Sequence, residues 1–288
     1  RRSLAEAVRT GGVSIKSAFV SIGGSHINSF GVRGVVVISR ADGEITEDDV
    51  SRVIQSAEGA IPRNPNREII HVIPRTFKVD SEAGITDPVG MVGMKLEVDA
   101  LVIDGAKSAL QNIVKSCELA GVAIEDWTVS SLAASEALLS KQQRELGVML
   151  CDLGAGTSDF AIFEEGRVVD VGSFPIGGSH ITHDIAIGFR TQVAVAEEIK
   201  LRYSAAIPDR AASNRREAIR LAEFIPGDDS AFAPRDLAEI VTARLTDIFE
   251  LVVKALRRNG QAGLLPGGVV LSGGVADISG IQELGRRE

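Results

Sequence analysis

The residues best suited to chemistry lie in one octet, Asp152-Leu-Gly-Ala-Gly-Thr-Ser-Asp159. An apolar run, Gly147-Val-Met-Leu-Cys151, precedes it and reads as a buried strand that delivers Asp152 to its end. A turn built from Gly154, Ala155 and Gly156 can aim consecutive backbone N–H groups into one concavity, which suits phosphate oxygens. Thr157 adds a hydroxyl donor. Asp152 can hold Mg²⁺, often through water, because magnesium prefers oxygen ligands and keeps several waters. A plain hairpin turn, with Asp152 and Asp159 as solvated turn residues, is the competing reading, and the spacing leaves both open. The octet is not a Walker loop, since no Gly-Lys-Ser/Thr follows. Nor is it a dinucleotide fingerprint, since a second strand rather than a helix follows the turn.

Two further segments carry polar chemistry. Gly273-Gly274 closes the strand Val269-Val-Leu-Ser272, where a glycine pair permits close approach of a flat ring or a ribose. A tight strand-to-helix connection explains the same pair. Glu197 and Lys200 lie three apart on one helix face and could contact a ribose. Their alternative is a surface ion pair, which contributes little. Cys117 and Cys151 read as buried, reduced thiols rather than a disulfide or zinc site. His26, His71, His180 and His183 form no metal-ligand spacing.

The composition narrows the class. The 288 residues imply about two domains, and 44% hydrophobic content supports a real core. With 31 basic and 39 acidic residues, the formal charge is −8. An acidic chain with 4% aromatics is a poor candidate for nucleic-acid binding. No apolar stretch approaches the ~20 residues that cross a bilayer, and residues 1–12 show no signal-peptide pattern. The sequence begins at Arg1 without a methionine and reads as an interior portion of a longer protein.

The elements that must position these residues alternate. Strands are expected at residues 18–22, 34–39, 68–74 and 95–104, with a turn-rich segment at 85–93. A helix opens at Thr46-Glu-Asp-Asp49, with acids at its positive end and Val50, Val53, Ile54 and Ala57 as its apolar stripe. Another carries Leu110, Ile113, Val114 and Cys117 and stops at Gly121. Residues 130–139 form a short helix. After the octet come a hairpin at 160–171, helices over 181–203 and a weakly patterned segment at 208–235. The helix over 236–258 repeats Leu237, Val241, Leu245, Ile248, Val252 and Leu256 at three or four. The mixture is α/β or α+β.

The order strand–Asp–Gly-x-Gly–Thr hairpin, helix with Glu-x-x-Lys, strand–Gly–Gly is similar to the actin/Hsp70/sugar-kinase ATPase superfamily. Within it the chain resembles the FtsA family of bacterial cell-division proteins over nearly its whole length. The resemblance rests on Ser21-Ile-Gly-Gly-Ser-His-Ile27, Ile45-Thr-Glu-Asp-Asp-Val50, His71-Val-Ile-Pro74, Asp87-Pro-Val-Gly-Met91, residues 147–159, Gly177-Gly-Ser-His-Ile-Thr182 with Asp184-Ile-Ala186, and Val270-Leu-Ser-Gly-Gly274. The His-Val-Ile-Pro and Asp-Pro-Val-Gly-Met segments are particular to that family.

The resemblance implies an actin-like α/β fold with ribonuclease H-like lobes and an α+β insertion subdomain. Residues 1–12 and 122–146 would be a remnant of the first cleft subdomain, and 13–121 the insertion. Residues 147–180 and 264–288 would form the second cleft subdomain, and 181–263 a helical one. It implies ATP and Mg²⁺ as cofactors, with Asp152 on the metal and as the one carboxylate available to catalysis. Gly154, Ala155, Gly156, Thr157, Glu197, Lys200, Gly273 and Gly274 would line the nucleotide. The implied partners are FtsZ, a second copy in an actin-like filament, and other division proteins through 13–121. The implied place is the cytoplasmic face of the membrane at midcell, reached by a C-terminal helix that would follow Glu288. The family's first phosphate hairpin would precede Arg1. Ala155 stands where the family has glycine, a small change if φ stays negative. Ser130-Ser-Leu-Ala-Ala134 carries no acid to orient water, so slow or absent hydrolysis is expected. The runners-up are a PilM-like scaffold of pilus assembly and a sugar-kinase-type phosphotransferase, for which no sugar-binding constellation is visible.

Overall fold

The computed structural model describes residues 2–208 and 218–288. The chain divides into two compact units, Arg1–Val148 with Ala161–Ser173, and Met149–Phe160 with Phe174–Glu288.

The first unit opens with α1 (Arg2–Gly11), which buries no residue. Next come β1 (Ser17–Ile22), β2 (Asn28–Val37), α2 (Glu47–Gly59), β3 (Arg67–Val79), β4 (Glu82–Ile85), β5 (Lys95–Ala106) and α3 (Lys107–Ala120). The unit continues with β6 (Ala123–Val129), α4 (Ser130–Leu138) and α5 (Lys141–Leu146). The sheet β2-β5-β3-β4 is antiparallel. Alternation along β5 sends Leu96, Val98 and Ala100 into one core with Phe77, Val79, Ile38 and Ile45, against Val53 and Ala57 of α2. The start of α2 is held by Asp49, whose carboxylate accepts from the Thr46 N–H at 2.9 Å and the Thr46 hydroxyl at 2.8 Å. Gly121, at φ 79°, ends α3 as expected.

β3 does not stop at Pro74 but runs to Val79. The register shifts between Pro74 and Thr76, and β4 pairs only from Phe77 onward, so the missing proline N–H interrupts no two-sided ladder. The whole of β6 escapes the sequence reading. Its residues Glu125, Asp126 and Trp127 lack a strand's alternation, yet it pairs in parallel with β1 from Ser17 opposite Ala123 to Ile22 opposite Val129. The edge strand β2 is not fully open. The Ser56 hydroxyl of α2 donates to the Val35 carbonyl at 3.1 Å and accepts from the Val35 N–H at 3.2 Å, standing in for a partner strand there. Cys117 is half-buried, whereas Cys151 is buried; both are free thiols.

A second four-stranded sheet has the order β12-β7-β8-β9, with β7 (Val148–Leu153), β8 (Ser158–Glu164) and β9 (Arg167–Phe174). The second half of β8, from Ala161, and β9 as far as Ser173 belong to the first unit. The hairpin between them turns at Glu165 (φ 50°) and Gly166 (φ 74°). There follow α6 (Gly178–Gly188), α7 (Val193–Tyr203), the two-residue strands β10 (Ile219–Arg220) and β11 (Ala231–Phe232), α8 (Pro234–Arg258), β12 (Val269–Ser272) and α9 (Ile281–Gly285). The expected loop with an internal element at 208–235 falls partly on 209–217, outside the described residues. α8 buries Leu237, Val241, Leu245, Ile248 and Val252, as its spacing requires. The Arg244 guanidinium of α8 clamps the Asp184 carboxylate of α6 through two bonds, at 2.7 and 3.0 Å. β7 is apolar on both faces because it is a central strand, with β12 parallel beside it.

Candidate functional site

The site grows from the carboxyl ends of β7 and β12. Their parallel register sets Leu271 beside Cys151 and Ser272 beside Asp152. Gly273 then turns at φ 83°, and a Cβ there would lie 2.5 Å from the Leu153 carbonyl oxygen and 2.6 Å from Asp152 Oδ1. Only glycine fits that bend. Burial first, then the neighbouring Asp159 carboxylate, pushes the Asp152 carboxyl above the ordinary carboxylate range. Two acids set so close at a strand end suit a cation, which relieves both effects. Among the described residues no cluster of three or more His, Cys, Asp or Glu forms a ready-made metal cage, so water and ligand oxygens would complete a magnesium shell.

The turn after β7 is a tight hairpin in which the Gly154 N–H donates to the Thr157 carbonyl at 3.0 Å. Gly154, Ala155 and Gly156 all keep φ out of the positive region. The glycines are therefore not needed for backbone freedom, and Ala155 costs nothing. A Cβ at Gly156 would meet nothing within 4 Å, so the turn is open on that side, whereas one at Gly154 would come within 2.9 Å of the Thr157 carbonyl oxygen. The N–H groups of Ala155, Gly156 and Thr157 have no partner among the described residues.

α6 braces this turn from behind. The Gly178 N–H donates to the Gly154 carbonyl at 2.9 Å and the Ser179 N–H to the Ala155 carbonyl at 2.7 Å. The Gly177 N–H donates to His180 Nδ1 at 3.1 Å. These first N–H groups of the helix are thereby spent within the protein, and the turn's own amides are the ones left without a partner. A side chain at Gly177 would strike the Gly154 oxygen at 2.5 Å and the Ala155 oxygen at 2.8 Å.

On α7, Lys200 is 11% exposed and its side chain turns inward. Its ammonium donates to Glu197 Oε2 at 2.7 Å, Thr182 Oγ1 at 2.9 Å and the Gly178 carbonyl at 3.1 Å. The Thr182 hydroxyl also bonds Glu197 Oε2. Burial raises the Glu197 carboxyl, but the bonds from Lys200 and Thr182 outweigh it and hold the carboxyl below its ordinary range. Neither residue of the pair is the loose surface ion pair that spacing alone allows. Thr182 joins the pair, a role that its place at the end of the Gly177-to-Thr182 motif does not by itself reveal.

A cavity of about 860 Å³ opens over these groups, lined by Gly154, Ala155, Gly178, Glu197, Lys200 and Gly274. It continues past Tyr203, Ser204, Val275, Asp277 and Ser279. Of the residues expected from sequence, Gly154, Ala155, Glu197, Lys200 and Gly274 share its wall. Asp152, Gly156, Thr157 and Gly273, also expected from sequence, are not among the residues that line it. Its size and mixed lining suit a small polar ligand.

Comparison with known proteins gives a consistent result. A family model described as "SHS2 domain inserted in FTSA" matches residues 24–104, and one described as "Cell division protein FtsA" matches 149–288. The chain is 36% identical to the cell division protein FtsA of Pseudomonas aeruginosa, over 99% of this chain and 67% of that protein. It is 36% identical to that of Bacillus subtilis, over 99% and 64%. The chain thus spans about two thirds of the length of the curated relatives it matches. Among solved structures, the PilM–PilN type IV pilus biogenesis complex superposes with a TM-score of 0.67 at 14% identity, over 99% of this chain and 70% of that one.

Proposed function

This chain belongs to the FtsA family of cell-division proteins, and from that premise we propose that it is a nucleotide-dependent assembly protein that binds Mg²⁺-ATP at the turn after β7. Its fold is the family's actin-like α/β architecture with an inserted α+β domain. The observation that carries the proposal is the row of unpartnered N–H groups at Ala155, Gly156 and Thr157, beside a cavity that also receives Glu197. These amides and the Thr157 hydroxyl would take phosphate oxygens. Asp152 would hold the magnesium, whose charge offsets that of the phosphates. Glu197 would accept from a ribose hydroxyl through Oε1. The Gly273-Gly274 bend lets the ligand approach the backbone.

In this reading the nucleotide is a conformational ligand with slow turnover or none. Asp152 is committed to the metal, and the Ser130-to-Ala134 segment offers no second acid to activate water. Filament formation, the linking of FtsZ polymers to the membrane at midcell and contacts with other division proteins through residues 13–121 are proposals about the whole protein. Among the described residues no helix is long and apolar enough to cross a membrane. The likeness to the pilus complex, at 14% identity, speaks to fold alone.

Co-sedimentation tests the proposal. The chain should pellet with FtsZ polymers, and Mg²⁺-ATP should alter the amount. A tail peptide of FtsZ should capture the chain while an inner-membrane pilus peptide does not. The reverse preference would return the protein to the pilus-scaffold class.

A further inference from the structure

α6 starts against the turn after β7, and that contact leaves no room for the usual helix cap. Its N-cap residue is Gly177, where a Cβ would lie 2.5 Å from the Gly154 carbonyl oxygen and 2.8 Å from that of Ala155. Serine, threonine and aspartate, the common N-caps, are therefore barred, and glycine brings no side-chain oxygen. The cap must come from the other half of a capping box, the third helical residue, which reaches back to the N-cap N–H. That residue is normally glutamate or glutamine; here it is His180. Its Nδ1 accepts from the Gly177 N–H at 3.1 Å, while its own N–H donates to the Gly177 carbonyl at 3.0 Å. His180 thus holds Gly177 by both of its backbone polar groups. The next two amides, of Gly178 and Ser179, then meet the Gly154 and Ala155 carbonyls at 2.9 and 2.7 Å.

We infer that His180 is a positioning residue for this turn: as a neutral imidazole with a bare Nδ1 and its proton on Nε2, it caps α6 and so aims the Gly178 and Ser179 amides that hold the turn in shape. A backbone N–H only donates, so the bond from Gly177 fixes the tautomer. A second proton on the ring would set one N–H against another and break the cap. The charged groups on the helices packed against α6 are engaged elsewhere: Glu197 and Lys200 of α7 bond each other, and Arg244 of α8 holds Asp184 of α6. The other titratable groups around this helix start are His183 on α6 itself, Asp152 and Asp159 on the strands flanking the turn, and Asp277 after β12. None of these groups bonds the imidazole, whose ring bond is to the Gly177 amide.

The first arm of the test needs no nucleotide, so it stands apart from the functional reading above. Long-range proton–nitrogen NMR spectra of the full chain at about pH 7.5 should show His180 with a bare Nδ1 and a protonated Nε2; the reverse tautomer overturns the inference. Amide hydrogen exchange is then compared between wild type and two variants. His180→Ala should quicken exchange at Gly178 and Ser179 about tenfold, as expected when a local brace is lost, while the α8 amides of Leu245 and Ile248 stay unchanged. His180→Gln keeps an acceptor at the same place and should restore the wild-type rate within about twofold. Unchanged exchange in His180→Ala, or an equal increase along α8, overturns the inference. Should His180→Ala not fold, His180→Gln still decides: at about pH 6 it should keep the protection that wild type loses, and equal protection in the two overturns the inference.

The second arm rests on the nucleotide reading. ATP is titrated with magnesium into wild type and His180→Gln at about pH 7.5 and about pH 6. The ligand's own phosphate titrates equally in both experiments, so the difference between the proteins isolates the ring. Wild type should lose about threefold more affinity on acidification than His180→Gln. Equal losses overturn the inference. If the wild-type chain binds no ATP at either pH, it is the nucleotide reading that fails, and the exchange arm still decides the cap.

Discussion

Ser272 lies in register with Asp152, so the chain leaves two parallel strands at one level and Gly273 bends directly over the Asp152 carboxylate. This one pairing explains why the Gly-Gly pair and the acidic strand end, more than a hundred residues apart in sequence, act at one place. Parallel strands carry their carboxyl-terminal groups to a common edge, and ligands of open α/β sheets bind there.

That bend makes a sharp prediction about glycine. Gly273→Ala combines a positive φ with a clash against the Leu153 carbonyl and should destabilise the chain by about 2–4 kcal/mol in urea unfolding. Gly156→Ala, with open space and no positive φ, should stay within about 0.5 kcal/mol yet weaken nucleotide binding. Equal stability losses in the two variants would contradict the assignment of one glycine to the fold and the other to the ligand.

Asp152 should trade stability for binding. Its carboxyl is raised by burial and by Asp159, so the stability linked to its proton is present below the ordinary carboxylate range and is lost as pH rises through the raised value. At neutral pH the ionised form is a burden. Asp152→Asn should therefore raise Tm by about 2 °C at pH 7, and by less at pH 4. Scanning calorimetry at both values checks it; a Tm that falls at pH 7 would remove the basis for a strained metal acid.

Much of this was legible in the residues. The apolar run before Asp152, the α8 stripe from Leu237 to Val252 and the Gly121 stop all follow from periodicity and turn chemistry. β6 was not, because a strand whose Glu125 and Asp126 face outward together shows no alternation. The extension of β3 through Pro74 depends on a bulge and a short neighbour, neither of which is visible in one strand's sequence. The inward turn of Lys200 was also hidden, because spacing puts Glu197 and Lys200 on one face without saying which is buried. Thr182 belongs with them only through the packing of α6 on α7.

Glu197 should govern an acid transition. The bonds from Lys200 and Thr182 hold its carboxyl below the ordinary range despite burial. Its contribution is then present above ~4.3, the usual glutamate value, and is lost as pH falls through the lowered one. Glu197→Gln should flatten the acid limb of a stability-versus-pH curve below about pH 4 and leave the neutral region's slope unchanged. An acid limb identical to wild type would show that the carboxylate is not held as described.

The two thiols should react unequally. Burial, with Asp152 and Asp159 adding repulsion, pushes the Cys151 thiol up to about 12, so almost no thiolate exists near neutrality. Cys117 is half-buried in α3. Alkylation with iodoacetamide at pH 8 should label Cys117 within minutes and Cys151 only after unfolding, as read by peptide mass spectrometry. Early labelling of Cys151 would mean that the β7 end opens far more readily than its packing implies.

The central claim is that Asp152 and the turn beyond it grip a magnesium-bound triphosphate. Isothermal titration of ATP into the chain, with magnesium and with EDTA, tests it most directly. The account predicts saturable binding that weakens stepwise from ATP to ADP to adenosine, and drops at least about tenfold with EDTA or in Asp152→Asn. Affinity that ignores the phosphate count, magnesium and the Asp152 carboxylate would contradict it.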